Sequence, residues 1–519
     1  MKLDEMKYVH PHPCPLPQER ENRSAASLFE ATSCTLLRTV ANGKAATLEG
    51  MNEFSSDTPS LTLSPGERVG VRASDEKAFH CAQRKKTFAI TATILSAAML
   101  VASIVQAETL LLTGATVHTV SGETLSPGQV LVKDGKISAV GRSLSAADAK
   151  TVDLAGLHLY PGMIALNTDL GLVEIEAVRA TRDGREVGDY TPDVESWIAV
   201  NPDSELLPVA RANGLSHFEP VPSGGVVSGQ SGLVALDGWT VEEMTIKKPL
   251  AMHVFWPEMD LDTTPRDRAR NRSAWKSLDD QAKERREKLK SLDDFFQEAR
   301  AYAKAREAAK NGAPDPGRNP PWEAMLPVLR GEVPITVHAH DVRQIRAAVK
   351  WAETNGFKII LAGGRDAWKV ADLLATNRVP VIYPHTFTQP TRDTDAYDVH
   401  FAAPAALQKA GVTVAFAVGN RAGSLAKNLP YEAAQATAYG LPAVEALKGV
   451  TLYPAQIAGV ADRLGSIEAG KEATLFAADG DILDIRSNVK RMWIAGKEVS
   501  LENRHTRLYE KYKSRPKSP

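Results

Sequence analysis

From Thr109 onward, short apolar runs alternate with polar turns. Leu110-Leu111-Leu112, Ala115 to Val120 and Gln129 to Val132 read as strands, and Asp134-Gly135 as the tight turn into Lys136 to Val140. A matching piece returns near the other end, where Leu464 to Phe476 precedes strand patterns at Val489 to Trp493 and Ile494 to Val499. The two segments, 108–160 and 461–505, bracket a long middle. Between 161 and 460, apolar runs alternate with helical stretches, the pattern of parallel βα units. The strands expected there are Met163 to Leu166, His217 to Val221, Ile335 to His338, Lys358 to Leu361, Val379 to Tyr383 and Val412 to Ala417. A stretch of about 300 residues suits a (β/α)8 barrel.

One insertion, 262–318, departs from this rhythm. Arg266 to Lys310 is charged and helix-favouring, with a capping signal at Ser291 to Asp294 and Leu289, Leu292, Phe296 and Ala299 on one face. It ends at Gly312-Ala313-Pro314. Its mixed charges predict a solvated helix or helical hairpin over the barrel mouth.

Residues 1–83 show no sustained period, and His10 to Pro17 is too proline-rich for regular structure, so this part reads as disordered or as a mis-assigned leader. Residues 84–107 read as a signal peptide. Arg84-Lys85-Lys86 gives a positive start, Phe88 to Val105 an apolar run, and Val105-Gln106-Ala107 a small-residue cleavage site. Cleavage is expected after Ala107, leaving no stable membrane insertion; the alternative is an anchor formed by residues 88–105. Both readings place the bulk of the chain outside the cytoplasm, in the periplasm or beyond the cell. The three cysteines, Cys14, Cys34 and Cys81, all precede that site, so the processed chain is expected to lack disulfides and thiol chemistry.

Composition narrows the partners. The 519 residues are 43% hydrophobic with a formal net charge of -1, enough for one large and one smaller domain. No dense basic stripe is present, which argues against a nucleic-acid footprint and favours a small-molecule or peptide partner.

Several segments, in order and spacing, resemble the amidohydrolase superfamily, in particular the exported relatives of imidazolonepropionase and the Xaa-Pro-type dipeptidases. They are Asp134 to Ile137, Leu159-Tyr160-Pro161-Gly162-Met163-Ile164, Val337-His338-Ala339-His340, Leu452 to Gly459 and Leu464 to Ala473. The resemblance implies an α/β fold, a (β/α)8 TIM barrel with a composite β-sandwich made from the N- and C-terminal segments. It also implies hydrolysis of carbon-nitrogen bonds by water activated on a divalent metal (Zn, Mn or Mg), held at the carboxyl ends of the strands.

Carried over residue by residue, the resemblance implies an altered metal site. The family's first strand ends in His-x-His, and here the same register holds Asn167 and Asp169. Residues i and i+2 share a strand face, so both would point inward, offering oxygen to a hard cation or forming a hydrogen-bonded polar pair. His338 matches the family's fifth-strand ligand, with His340 on the same face; a histidine there could equally be hydrogen-bonded inside the barrel. The sixth strand brings Gly363 and Gly364 where the family has a histidine. The eighth brings Asn420 in place of the aspartate that is both ligand and general base, and an amide is too weak a base for that work. The metal set implied is His338, Asp169 and Asn167, and the catalytic set Asp169, His340 and Asn420.

Other polar features are candidate substrate contacts. The glycine-rich stretch Ser223 to Ser231 reads as a loop after a strand, offering Gly229, Gln230 and Ser231. Gly363-Gly364-Arg365-Asp366 leads into a helix and offers Arg365, and His385 lies in a Pro- and Thr-rich loop with His400 beyond it. The bland alternative for both glycine motifs is a tight turn. Two functions follow: a hydrolase of a small amide or dipeptide-like substrate, or a non-catalytic barrel that binds ligand, self-associates as a homo-oligomer, or pairs with an active relative.

Overall fold

The computed structural model describes residues 109–419 and 423–516. The segments read as a leader (1–83) and as a signal peptide (84–107), the three cysteines and Asn420 lie outside the described residues. Among the described residues no helix is long and apolar enough to cross a membrane.

The first sheet contains β1 (Leu110–Val117), β2 (Leu125–Lys133), β3 (Lys136–Gly141), β4 (Lys150–Asp153) and β5 (His158–Pro161). It also contains β14 (Leu475–Ala478), β15 (Val489–Ile494) and β16 (Lys497–Glu498). Its order is β16-β15-β14-β5-β1-β2-β3, with β4 on β1. The two ends of the chain are zipped where β5 pairs antiparallel with β14, from Leu475 opposite Pro161 to Ala478 opposite His158. Alternation along the strands sends Leu112, Val117, Val130, Ile137, Leu475 and Trp493 into one buried cluster.

The second sheet runs in chain order through β6 (Met163–Thr168), β7 (Leu215–Pro220), β8 (Val227–Ala235), β9 (Thr245–Phe255) and β10 (Ile335–Ala339). It continues through β11 (Ile359–Gly363), β12 (Val381–Tyr383) and β13 (Val414–Phe416). These eight strands curl into a nearly closed barrel. Six expected strands are present at their expected places, but the all-parallel pattern needs correction. β8 runs antiparallel to both β7 and β9. The links between these strands are shorter than the dozen or so residues a parallel crossover needs, so the chain has to turn back on itself.

The inside of the barrel is filled on one layer by Ile164, Leu166, Leu233, Ile360 and Ile382, closed below by Ala455 and Leu464. Asn167, Glu219, His253 and His338 lie above this layer, toward the carboxyl ends of their strands. On the outside, the insertion forms one continuous helix, α1 (Leu278–Lys310), capped by Ser277, whose side chain accepts from the Asp280 N–H. The expected start near Ser291 and the hairpin are thus corrected. The helix is also not wholly solvated, because Leu292, Phe295, Phe296 and Ala299 are buried. Phe296 meets the rings of Trp351 and Phe357 at 5.0 and 5.3 Å, fastening α1 against α2 (Val342–Asn355) on the barrel flank.

Candidate functional site

Five neighbouring strands each contribute one group to a buried polar line. Asn167, near the end of β6, has a positive φ of 54° and donates its backbone N–H to Glu219 Oε2 at 3.0 Å. Ser231 on β8 donates its hydroxyl to Glu219 Oε1 at 2.7 Å. His253 on β9 brings Nε2 to 3.4 Å from the same oxygen, a charge contact without hydrogen-bond alignment. On its far side, His253 Nδ1 lies 2.9 Å from His338 Nε2. The His338 ring stacks on Phe255 with centroids 3.9 Å apart, which fixes its plane. Exposure rises along the line from 0% at His253 and 2% at Glu219 to 6% at His338, making His338 its outer end.

Electrostatics assign the protons. Burial works to raise the Glu219 carboxyl, but His253, Ser231 and the Asn167 N–H outweigh it and hold the group below its ordinary value, hence ionised. An ionised Glu219 keeps the proton on the His253 nitrogen that faces it. His253 Nδ1 then accepts from His338 Nε2–H, and His338 Nδ1 keeps its lone pair. Burial, followed by the charges of His253 and His340, keeps His338 well below the usual imidazole value, so it is neutral near pH 7.

A second polar group sits where the later strands end. His340 Nδ1 is 3.3 Å from His385 Nε2, and His385 Nδ1 is 3.2 Å from Thr388 Oγ1. The Tyr383 hydroxyl lies 3.2 Å from Nδ1 of His400, which is carried by α3 (Val399–Lys409). Burial first, then the neighbouring His340 and His400, pushes His385 down to about 3. Asp366 is gripped by Arg392 through both carboxylate oxygens. Glu432, on α4 (Leu429–Thr437), is pushed up to about 7 by burial. At the sixth strand, a Cβ on Gly363 would come within 2.7 Å of His340 Cε1, so the His340 ring fills the space a side chain there would need.

The expected site residues are thus dispersed. His338 is in the first group; Asn167 reaches it only through Glu219 and His253. Asp169 accepts from the Gly423 N–H. His340 and His385 meet each other in the second group. The stretch read as a glycine-rich loop is corrected: Gly229, Gln230 and Ser231 belong to β8. Gln230 Nε2 donates outward to the Pro192 carbonyl at 3.0 Å, and a Cβ on Gly229 would strike the Val194 carbonyl oxygen at 2.6 Å. Only Ser231, one position on and facing the other way, enters the polar line.

Glu219, His253 and Glu432 were not singled out from sequence. Glu219 had a signal, a carboxylate inside an expected buried strand. His253 had none, because β9 begins Thr245-Ile246-Lys247-Lys248-Pro249, a start that hides a strand.

A catalytic zinc site takes three protein ligands and leaves a position open. Here the facing nitrogens of His253 and His338 are committed to each other, and both Glu219 oxygens are engaged. Among the described residues, no group of three or more His, Cys, Asp or Glu is placed to hold a metal ion. Asn167 Oδ1 is buried and unpartnered, yet it is one oxygen alone. The described residues do not fit the divalent ion that the resemblance implies.

Fold and site together define an α/β barrel protein whose polar groups gather at the carboxyl ends of its strands. Residues 245–499 match the sequence model of the amidohydrolase family. The amidohydrolase tasK of Hapsidospora irregularis is 24% identical over 413 residues, covering 71% of this chain. The chain spans only 39% of that relative's length. An amidohydrolase from Thermotoga maritima MSB8 superposes with a TM-score of 0.67 at 29% identity, over 75% of this chain and 99% of the other. A prolidase solved with N-methylphosphonate-L-proline gives a TM-score of 0.46 at 15% identity, over 75% of this chain and 99% of the other. The chain is thus similar to amidohydrolases in sequence over residues 245–499 and in fold to the Thermotoga maritima structure.

Proposed function

We propose that the chain is an exported hydrolase that cleaves the carbon-nitrogen bond of a small amide or dipeptide-like substrate, with His338 as the base that activates water. The observation that carries this reading is the line Glu219, His253, His338. A carboxylate behind a histidine fixes its tautomer and stabilises the cation that forms when a proton arrives. Here a second imidazole is interposed. Water loses a proton to His338 Nδ1, its oxygen adds to the carbonyl carbon, and the carbon-nitrogen bond breaks as the leaving nitrogen takes a proton. Glu219 and His253 act through His338 and are positioning residues.

A second reading is favoured by one observation. Both Glu219 oxygens are already satisfied within the fold, as in a polar cluster that stabilises a barrel without reacting. On that reading the chain is a binding protein, or a partner subunit of an active relative.

The test is turnover of a panel of dipeptides and cyclic amides by the purified protein, alongside metal analysis. Turnover that is abolished in His338→Ala and survives chelation supports the proposal. No turnover on any substrate supports the non-catalytic barrel. Turnover that rises with bound Zn or Mn would return the protein to the family's metal route and overturn the relay.

A further inference from the structure

Among the described residues, four of the eleven buried side-chain polar atoms without a partner fall in the second polar group: Arg365 Nε, Thr386 Oγ1, His400 Nε2 and Glu432 Oε2. Leaving a buried polar atom unpaired costs about 1–3 kcal/mol, so such a concentration calls for a ligand or ordered water to complete it. His400 lies with its ring centroid 6.2 Å from that of His385, and its other nitrogen is held by Tyr383. The charge of Arg365 is felt at both His385 and His400, and Thr386 faces Glu432.

Charge and proton placement then choose the ligand. Arg392 is spent on Asp366 and Asp395, and Lys369 on Asp395. Among the described residues, the Arg365 guanidinium makes no ion pair or hydrogen bond, which leaves three cations against two paired carboxylates. His400 Nδ1 is engaged by the Tyr383 hydroxyl, which leaves Nε2 as the ring's open position. The Thr386 hydroxyl and Glu432 face each other, and Glu432 in its neutral form has a proton to donate. The open positions lie beside an uncompensated positive fork, and a guanidinium matches a carboxylate with two parallel hydrogen bonds.

We propose that Arg365, His400, Thr386 and Glu432 form a carboxylate-binding subsite at the barrel mouth, taking the free carboxylate of an N-acyl amino acid or dipeptide. The subsite rests on the proposed hydrolysis only in naming its occupant a substrate; the binding stands by itself.

The test is calorimetric titration and thermal unfolding of the purified protein with N-acetyl-L-amino acids, the matching primary amides, and inorganic phosphate. The acids should bind and raise the midpoint, while the amides and phosphate should not. In Arg365→Met, affinity for the acids should fall at least tenfold while the unliganded midpoint holds or rises, since an unpaired cation is removed; a purely structural arginine would lower it. If that variant fails to fold, Thr386→Val should still weaken the acids and spare the midpoint. Acids and amides binding alike, phosphate binding as well as the acids, no binding by any acid, or full affinity in Arg365→Met would each overturn the subsite. Acid binding without turnover would remove the proposed hydrolysis and leave the subsite standing.

Discussion

His253 Nδ1 and His338 Nε2 sit 2.9 Å apart across the β9-β10 ladder, two rings joined through one hydrogen bond in a dry interior. Each is the other's answer to burial. Replacing His253 by Ala strips His338 of its acceptor and Glu219 of its nearest donor ring. The expected cost is about 1–3 kcal/mol of stability, read as a lower urea midpoint with unchanged slope. A midpoint within error of the parent would show that the pair is not a buried hydrogen bond.

The histidines set a pH dependence. Burial, followed by Arg463, pushes His217 down to about 3, and His385 is held at a similar value. A depressed folded pKa means that the unfolded chain binds protons first. The stability these groups contribute is complete above the unfolded value near 6.5 and is lost progressively as pH falls toward 3. Each histidine should already cost about 1 kcal/mol at pH 5.5. Urea melts between pH 7.5 and 5 should show this, and His217→Gln should flatten the slope; a pH-independent midpoint across that window would refute it.

Glu432 has the opposite sign. Its folded value, raised to about 7, means stability that is complete below about 4.5 and lost as pH rises through 7. Glu432→Gln cannot ionise, so it should gain on the order of 1–3 kcal/mol at pH 8 and nothing at pH 4. Thermal midpoints at the two pH values give the answer, and a loss at pH 8 would mean that the carboxylate has a partner it needs.

On the barrel flank, Phe296→Ala should cost about 3–5 kcal/mol, since it opens a cavity between α1 and the Trp351 and Phe357 rings. Lys283→Ala on the exposed face of the same helix should stay within about 0.5 kcal/mol. Equal effects would mean that α1 is not docked.

The barrel was legible wherever a strand is a short apolar run, as at Ile335 to His338 or Val414 to Phe416. It failed at β8 and β9, where glycines at 224, 225 and 229 and the Lys247-Lys248-Pro249 start imitate loop. Gly225 and Gly229 serve close backbone approach, which sequence pattern cannot separate from a turn. The site suffered from the same gap. His338 was visible through its motif, whereas its partners Glu219 and His253 come from strands far apart in the chain and meet only when the barrel closes.

Gly363 and His340 are coupled by a contact distance rather than by chemistry. A histidine placed at 363 would collide with the His340 ring on a backbone whose φ of 96° already disfavours a side chain. Removing His340 first would leave His385 without its neighbour and open a hole at the rim. Neither single change leads anywhere useful, so placing a histidine at 363 demands both at once. For anyone redesigning this barrel, that makes the two positions one site.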